Sequence, residues 1–337
     1  MKPQISREAT LRHSRALRLA VVCGGPSPEA DVSRASSRQV VNALTGLGHL
    51  TELFEYGPSV MSALAGFAPD VVFPVMHGGP GEDGTFQGAM EVLGIPYVGS
   101  GVLASKLAMQ KPLAKLVFRD AGLPVIEGVA LKNDSRAAED IVRALGADLV
   151  AKPSSEGSGL GVTFCSSVAD LKAAIADAQL YGRDLMVERR IVGMEVTVGV
   201  LDTLDGSYAF APIEVATPAG SWYDFKHRYT PGLSDHILPA RLPAEVLAEL
   251  MSVAIRAHRA LDCRDLSRSD FLVDERGEIF LLELNSLPGM TATSLYPEGA
   301  SHAGVSFPAL LDHLVCRALA RGRAQVLSCP ETAYVRS

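Results

Sequence analysis

The sequence has no run approaching the ~18 consecutive apolar residues that a membrane-spanning helix needs. It has one tryptophan and five cysteines, and the cysteines (Cys23, Cys165, Cys263, Cys316, Cys329) are odd in number, scattered and never spaced as CxxC. That pattern argues against a disulfide framework or a zinc knuckle and fits a reducing cytoplasm. No block of Lys and Arg interleaves with aromatics, and 38 acidic against 31 basic residues leave a net charge of -7, so nucleic acid is a poor partner. There is no GxSxG elbow, no GK[ST] phosphate loop, no internal repeat and no low-complexity tract. Basic residues at the N-terminus (Lys2, Arg7, Arg12, Arg15, Arg18) resemble the start of an export signal, but the apolar run that follows, Leu19 to Cys23, is too short for one.

What is present is a folding composition, 47% hydrophobic and 20% charged, in 337 residues. Apolar β-type runs at Leu19–Cys23 and Val71–Met76 end at glycine pairs, with helical patterns at Asp31–Leu44 and Ala89–Leu93 and a β-type segment at Pro96–Val98. Strands alternating with helices, with glycine turns at strand carboxyl ends, predict an open parallel α/β sheet with ligands at those ends. Further along, the pattern predicts a helix over 105–121 and strands at 148–152, 162–165 and 184–188 around a helix at 168–178. It then predicts strands at 195–201 and 208–214, a polar loop 217–235, a helix 244–261 and a hairpin 269–285. The reading is α/β, with three subdomains at 18–104, 105–193 and 194–320, a frayed or disordered extension 1–17 and a tail 321–337.

The hairpin carries the most chemistry. A simple antiparallel register about Asp274-Glu275-Arg276-Gly277 sets Asp270 opposite Leu281 and puts Asp270, Glu283, Asn285 and Arg268 on one face. Phe271, Val273, Phe280, Leu282 and Leu284 fall on the other, as core. Two carboxylates and an amide oxygen are hard ligands suited to Mg²⁺, while a solvated strand face with an Arg/Asp pair has the same pattern. The loop Lys152–Gly161 has three glycines at alternate positions (157, 159, 161), with serine hydroxyls and the lysine as further donors, which suits phosphate oxygens or a flexible hairpin tip. Glu188-Arg189-Arg190 with Glu195 is either a set of hydrogen-bonding groups for an adenosine or a charged strand end. His77, heading the compact turn HGGPGEDG, is structural or functional, and its acidic pair suits a helix cap.

These segments also occur together in one order. GGPSPEADVS (24–33), HGGPGEDGTFQG (77–88), PYVGSGVLASKLAMQK (96–111), KPSSEGSGLGV (152–162), WYDFKHRYTPG (222–232), SRSDF (267–271) and LLELNSLPGMTATSLYP (281–297) resemble the D-alanine:D-alanine ligases of the ATP-grasp superfamily. The resemblance implies a three-subdomain ATP-grasp fold and an ATP-dependent ligase forming D-alanyl-D-alanine for peptidoglycan precursors. It further implies ATP and Mg²⁺ (or Mn²⁺) as cofactors, a cytoplasmic location, a homodimer and no nucleic-acid or membrane partner. Relatives joining other amino acids or a hydroxy acid (D-Ala-D-Ser, D-Ala-D-Lac), and a catalytically silent nucleotide binder, are the alternative readings.

Carried over residue by residue, Glu29 holds the ammonium of the first D-alanine and His77 lies beside its carboxylate. Lys111 and Lys152 bind ATP phosphates, with Gly157, Ser158 and Gly159 in the loop between cleft and lid. Glu188 and Glu195 serve the adenine and ribose, and Asp270, Glu283 and Asn285 the metal. Arg268 and the Gly289 N–H form an oxyanion hole, Ser294 takes the second carboxylate, and Glu29, Ser158 and Tyr229 tie down the mobile loop. The sequence departs from the family's usual residues at Gly159 (Ser), Arg228 (Lys) and Gln110 (Asp). The first departure removes a hydroxyl from the phosphate loop, and the second keeps the charge as a planar fork.

Overall fold

A computed structural model describes residues 3–5, 16–131, 137–180, 184–218, 220–230, 232–291 and 294–328, with side chains to Gly322. The first third contains β1 (Arg18–Gly24), α1 (Ala30–Gly46), β2 (Leu50–Tyr56), α2 (Val60–Phe67), β3 (Val71–Pro74), α3 (Thr85–Leu93), α4 (Val102–Met109) and α5 (Lys111–Asp120). Next come β4 (Gly128–Leu131), α6 (Ala138–Leu145), β5 (Leu149–Pro153), β6 (Thr163–Cys165), α7 (Val168–Leu180) and β7 (Leu185–Arg189). The remainder holds β8 (Met194–Thr203), β9 (Gly206–Ala209), β10 (Ile213–Ala216), α8 (Phe225–Tyr229), β11 (Asp235–Ile237), α9 (Ala244–Ala260), β12 (Leu266–Val273), β13 (Ile279–Asn285), α10 (Leu295–His302) and α11 (Phe307–Ser328).

Three sheets result. The parallel sheet β2-β1-β3 takes the bridge of Tyr97 to Val72 as a further partner, β4-β7-β5-β6 is antiparallel, and the largest sheet runs β11-β10-β8-β12-β13 with β9 also on β8. The parallel strand β1 reads LAVVC because both of its faces are covered, with Leu19 and Val21 packed toward α11 and Ala20 and Val22 toward α2 and α3.

Several expectations are corrected. The helix expected over 105–121 is two, because Pro112 lacks an N–H and fits a first helical turn rather than an interior, so the chain breaks at Gln110 (φ −91°, ψ 88°). The strand expected over 208–214 is interrupted before Ile213, where Pro212 has no ladder donor, and β9 and β10 follow β8 as separate pieces. The loop 217–235 contains α8, whose Asp224 cap accepts from the His227 N–H at 2.9 Å.

In the hairpin Asp270 faces Glu283, not Leu281, because the turn takes in five residues, 274–278, so that Val273 pairs with Ile279, and the ladder shifts by one more between Asp270 and Phe271. This bulge makes Leu282 an extra residue on the Glu283 side. Leu281, Leu284 and Ile279 are therefore core, while Leu282 lines a cleft with Leu272 and Phe280 is half-buried.

The chain ends also differ from expectation. Of the extension 1–17, residues 1–2 and 6–15 lie outside the described residues, but Leu17 is buried in the core and Ile5 packs against it. The tail set at 321 instead continues α11 to Ser328, with 329–337 outside the described residues. Arg317 and Arg321 of α11 reach the wholly buried Asp265, with Arg317 Nε at 3.1 Å and Arg321 Nη2 at 2.7 Å. Asp265, at φ +66°, also accepts from the Gly99 N–H at 2.9 Å, and Arg321 donates to the Tyr97 carbonyl at 3.0 Å, so one carboxylate joins α11, the strap after β3 and the start of β12.

Among the described residues no single helix is long and apolar enough to cross a membrane. The bent pair Leu295–His302 and Phe307–Gly322, which passes on length and composition, packs its Leu310, Leu311 and Leu314 in the core.

Candidate active site

A cleft of about 500 Å³ separates the β4–β7 sheet from the β12–β13 hairpin. Lys152 on β5 reaches Glu188 on β7 at 2.5 Å, and Lys115 of α5 takes the same carboxylate's other oxygen. Burial disfavours charge on all three, yet the two ammoniums outweigh it and hold the Glu188 carboxyl low, and the carboxylate keeps Lys152 high. Lys115 is pushed down to about 8, chiefly by burial. Glu188 thus lines the cleft with both side-chain oxygens engaged by lysines. Lys111, at the start of α5, donates to the Glu156 carbonyl at 2.5 Å and lies 3.0 Å from Glu283. Burial would raise Glu283, but Lys111, Lys152 and Arg228 bring it down to about 2. Glu195 accepts from the Tyr223 N–H at 3.3 Å, and its carboxyl is raised by burial.

Asp270 accepts from Arg268 at 2.9 and 2.8 Å and from Thr197 at 2.6 Å, facing Glu283 across the ladder as Arg268 faces Asn285. Asn285 Oδ1 accepts from the Leu287 N–H at 2.9 Å. The donors here are two carboxylates and one amide, and no group of three or more His, Cys, Asp or Glu side chains forms a metal cage among the described residues.

A second cavity of about 620 Å³ is lined by Glu29, His77, Glu82, Ser158, Tyr229, Arg268, Asn285, Gly289 and Ser294. Glu29 Oε1 accepts from Ser158 and from Tyr229, each at 2.5 Å, and the two hydroxyls are 3.0 Å apart. Ser158 holds φ +52°, a strained value for a non-glycine residue that these bonds fix. Burial and the neighbouring Glu29 push the Tyr229 phenol well up, so it remains a donor. Burial lowers His77, with Arg268 assisting and Glu29 opposing, which keeps the imidazole neutral. Glu82, accepting from the Gly78 N–H at 2.5 Å, is pushed up to about 8 by burial. Ser294 bonds the Thr291 hydroxyl at 2.6 Å, and a side chain at Gly289 would start 3.3 Å from Ser294 Oγ. The two cavities share Gly157, Tyr223, Arg228 and Glu283.

Residues 57–100 match the family model for the D-ala D-ala ligase N-terminus and residues 117–316 that for its C-terminus. The D-alanine–D-alanine ligase of Moorella thermoacetica is 42% identical over 311 residues, covering 90% of this chain and 99% of that one. The chain belongs to the D-alanine–D-alanine ligase family. The ligase of Cereibacter sphaeroides is 45% identical over 294 residues, 86% of this chain and 92% of its own. Among solved structures, the D-alanine–D-alanine ligase of Bacillus anthracis complexed with ATP superposes with a TM-score of 0.78 at 28% identity, over 92% of this chain and all of that one.

For a member of this family the departures have distinct surroundings. Arg228 stacks on Tyr223, 4.4 Å from the ring centroid, and borders both cavities. Gln110 sits at the α4–α5 junction, beside a separate opening formed with Lys106, Asp83 and Glu156. Gly159 lies beneath Trp222. Sequence reasoning missed Lys115, Thr197 and Glu82. Lys115 follows Lys111 by one helical turn, and that i, i+4 spacing was the available signal.

Proposed function

We propose that this chain is an ATP-dependent ligase that joins two D-alanine molecules through an acyl phosphate, releasing ADP and phosphate, and supplies D-alanyl-D-alanine to peptidoglycan precursors. One observation carries the reading: the lysine-lined cleft and the Glu29 cavity meet at Gly157, Arg228 and Glu283, where a γ-phosphate in one would touch a carboxylate in the other.

Glu29 holds the ammonium of the first D-alanine, and Arg268 and His77 its carboxylate. A carboxylate oxygen attacks the γ-phosphorus and the bond to ADP breaks, while Lys111, Lys152 and Arg228 balance charge on the phosphoryl oxygens. The second D-alanine, its carboxylate at Ser294, gives its ammonium proton to solvent. Its amine then attacks the acyl carbon, expelling phosphate. Arg268 and the Gly289 N–H face the oxygen that gains charge. Tyr229 and Ser158, bonded to Glu29, hold the lid shut against water, which would hydrolyse the acyl phosphate.

Asp270, Glu283 and Asn285 fit Mg²⁺ or Mn²⁺: all are hard oxygens, two are carboxylates, and the Lys111 ammonium already stands against Glu283. The ion, when bound, neutralises phosphoryl charge. Glu195 is assigned to the nucleotide sugar, and Glu188 is reassigned to holding Lys152 and Lys115.

Phosphate release from ATP, with and without D-alanine and with products identified by mass, tests the reading. Equal ADP, phosphate and D-alanyl-D-alanine, formed only with D-alanine, is expected. D-alanine-independent hydrolysis, or predominant depsipeptide when D-lactate is also offered, overturns the substrate assignment. The homodimer implied by the family is checked by sedimentation of the purified chain.

A further inference from the structure

Gly159 has φ +72°, and a Cβ there would lie 3.0 Å from both Cη2 and Cζ3 of the Trp222 indole. Few real Cβ atoms come so close, so the indole occupies space that exists because residue 159 has no side chain. On the same indole Phe164 packs edge-on, with centroids 5.5 Å apart at 82°, and the Arg190 guanidinium covers Phe164 at 4.9 Å. Arg190, Phe164 and Trp222 thus form a continuous layer along the wall of the nucleotide cleft.

Trp222 also leads directly into the lid. Asp224, two residues on, caps α8, and Tyr229 at the end of α8 donates to the Glu29 oxygen that also accepts from Ser158. Because Ser158 and Gly159 are neighbours, lid and phosphate loop are fastened at two adjacent points: the hydroxyls of 158 and 229 both donate to Glu29, and 222 packs on 159.

We propose that Trp222 is a positioning residue, and that its seat on Gly159 transmits occupation of the nucleotide cleft to closure of the Glu29–Ser158–Tyr229 bonds. The glycine at 159 is then not a phosphate loop short of a hydroxyl but the socket for a larger lid residue. The activity arm of the test rests on the ligase reading; the optical arm does not.

Trp222→Phe keeps an aromatic ring for Phe164 but lacks the two indole atoms that meet residue 159. Gly159→Ala is therefore made in the parent and in Trp222→Phe, so that strain from the positive φ, common to both, cancels in the cycle. The readout is dipeptide formed per ATP consumed. A loss of about tenfold in the parent and of less than about threefold in Trp222→Phe is expected, within the range of couplings between touching residues. Equal fold-losses in both backgrounds overturn the proposal.

Trp222 is the only tryptophan in the chain, so its emission reports the contact directly. Saturating ATP with Mg²⁺ and no D-alanine should shield the parent indole from acrylamide and leave it quenchable in Gly159→Ala. Equal shielding in the two proteins, or none in the parent, also overturns the latch. If the parent makes no D-alanyl-D-alanine, the ligase reading fails while the quenching result still decides the latch.

Discussion

The two cavities are held by different physics. The cavity proposed for the nucleotide rests on a buried ionic cluster of Lys115 on α5, Lys152 on β5 and Glu188 on β7. The substrate side rests on hydrogen bonds among Glu29, Ser158 and Tyr229, which come from three loops or helix ends separated by 129 and 200 residues. Removing a partner from the first strands charge in a low dielectric. Removing one from the second opens a lid. Loss of the ionic cluster should therefore cost stability as well as the Lys152 contact proposed for the phosphoryl group, and loss of the hydrogen-bonded trio should cost fidelity alone.

The largest expected effect breaks the ionic side. Glu188→Gln leaves two buried ammoniums with only the more distant Glu283 as counter-charge and should destabilise the protein by about 3–5 kcal/mol, measured by urea unfolding. A loss no larger than that of an exposed ion pair would erase the contrast.

Next is Glu283→Gln, on the shared border. Turnover should fall about 10²–10³-fold at ordinary Mg²⁺, as when a preorganised electrostatic contact is removed, while the unfolding midpoint hardly moves because the residue faces the cleft. An active variant removes Glu283 from the metal set.

Tyr229→Phe tests the lid. It loses one net hydrogen bond of about 1 kcal/mol at Glu29, so peptide formed per ATP should fall several-fold while stability is kept. Product analysis across pH with D-alanine and D-lactate together shows whether D-lactate gains at low pH, where the competing amine stays protonated.

The effect confined to pH dependence is that on stability at Glu82. Its carboxyl lies at about 8 when folded, against about 4.3 in the unfolded chain. The unfolded chain thus gives up the proton first as pH rises, and Glu82's contribution, complete below about pH 4, declines until about pH 8. Glu82→Gln should remove a few °C of the fall in melting temperature between pH 5 and pH 8. Parallel melting curves would assign the fall to other groups.

The two sides were unequally legible in the sequence. Strand alternation alone put Asp270, Glu283, Asn285 and Arg268 together, because period-2 geometry is nearly independent of context. It misplaced Asp270 against Leu281, since the turn is one residue longer than 274–277 and a bulge at Leu282 leaves no trace in a run of apolar residues. Nothing local connects Glu29 with Ser158 and Tyr229; resemblance alone named that trio. Lys115 reads as one more solvent-facing lysine on α5 until Glu188 is seen beneath it. The strands β2, β4 and β11 and the helices α2, α6, α10 and α11 went unread, although α6 buries Ala138, Ile141 and Leu145 at the i, i+3, i+7 spacing of one helix face. The break at Pro212 and the split at Pro112 were the proline rules applied too weakly.

Asp265 has a consequence for truncation. Its carboxylate sits three residues before Arg268, and much of its counter-charge arrives from α11, more than fifty residues later. A chain cut before Arg317 would retain every residue named in the reaction and still carry an uncompensated anion at the root of β12. Arg268 would then hang from a strand whose first turn has lost its clamp, and the wall bearing His77, tied to the same carboxylate through Gly99, would lose its bearing on the hairpin. The last helix is in this sense a gauge block: it touches no substrate, yet it sets the spacing between the two jaws that do.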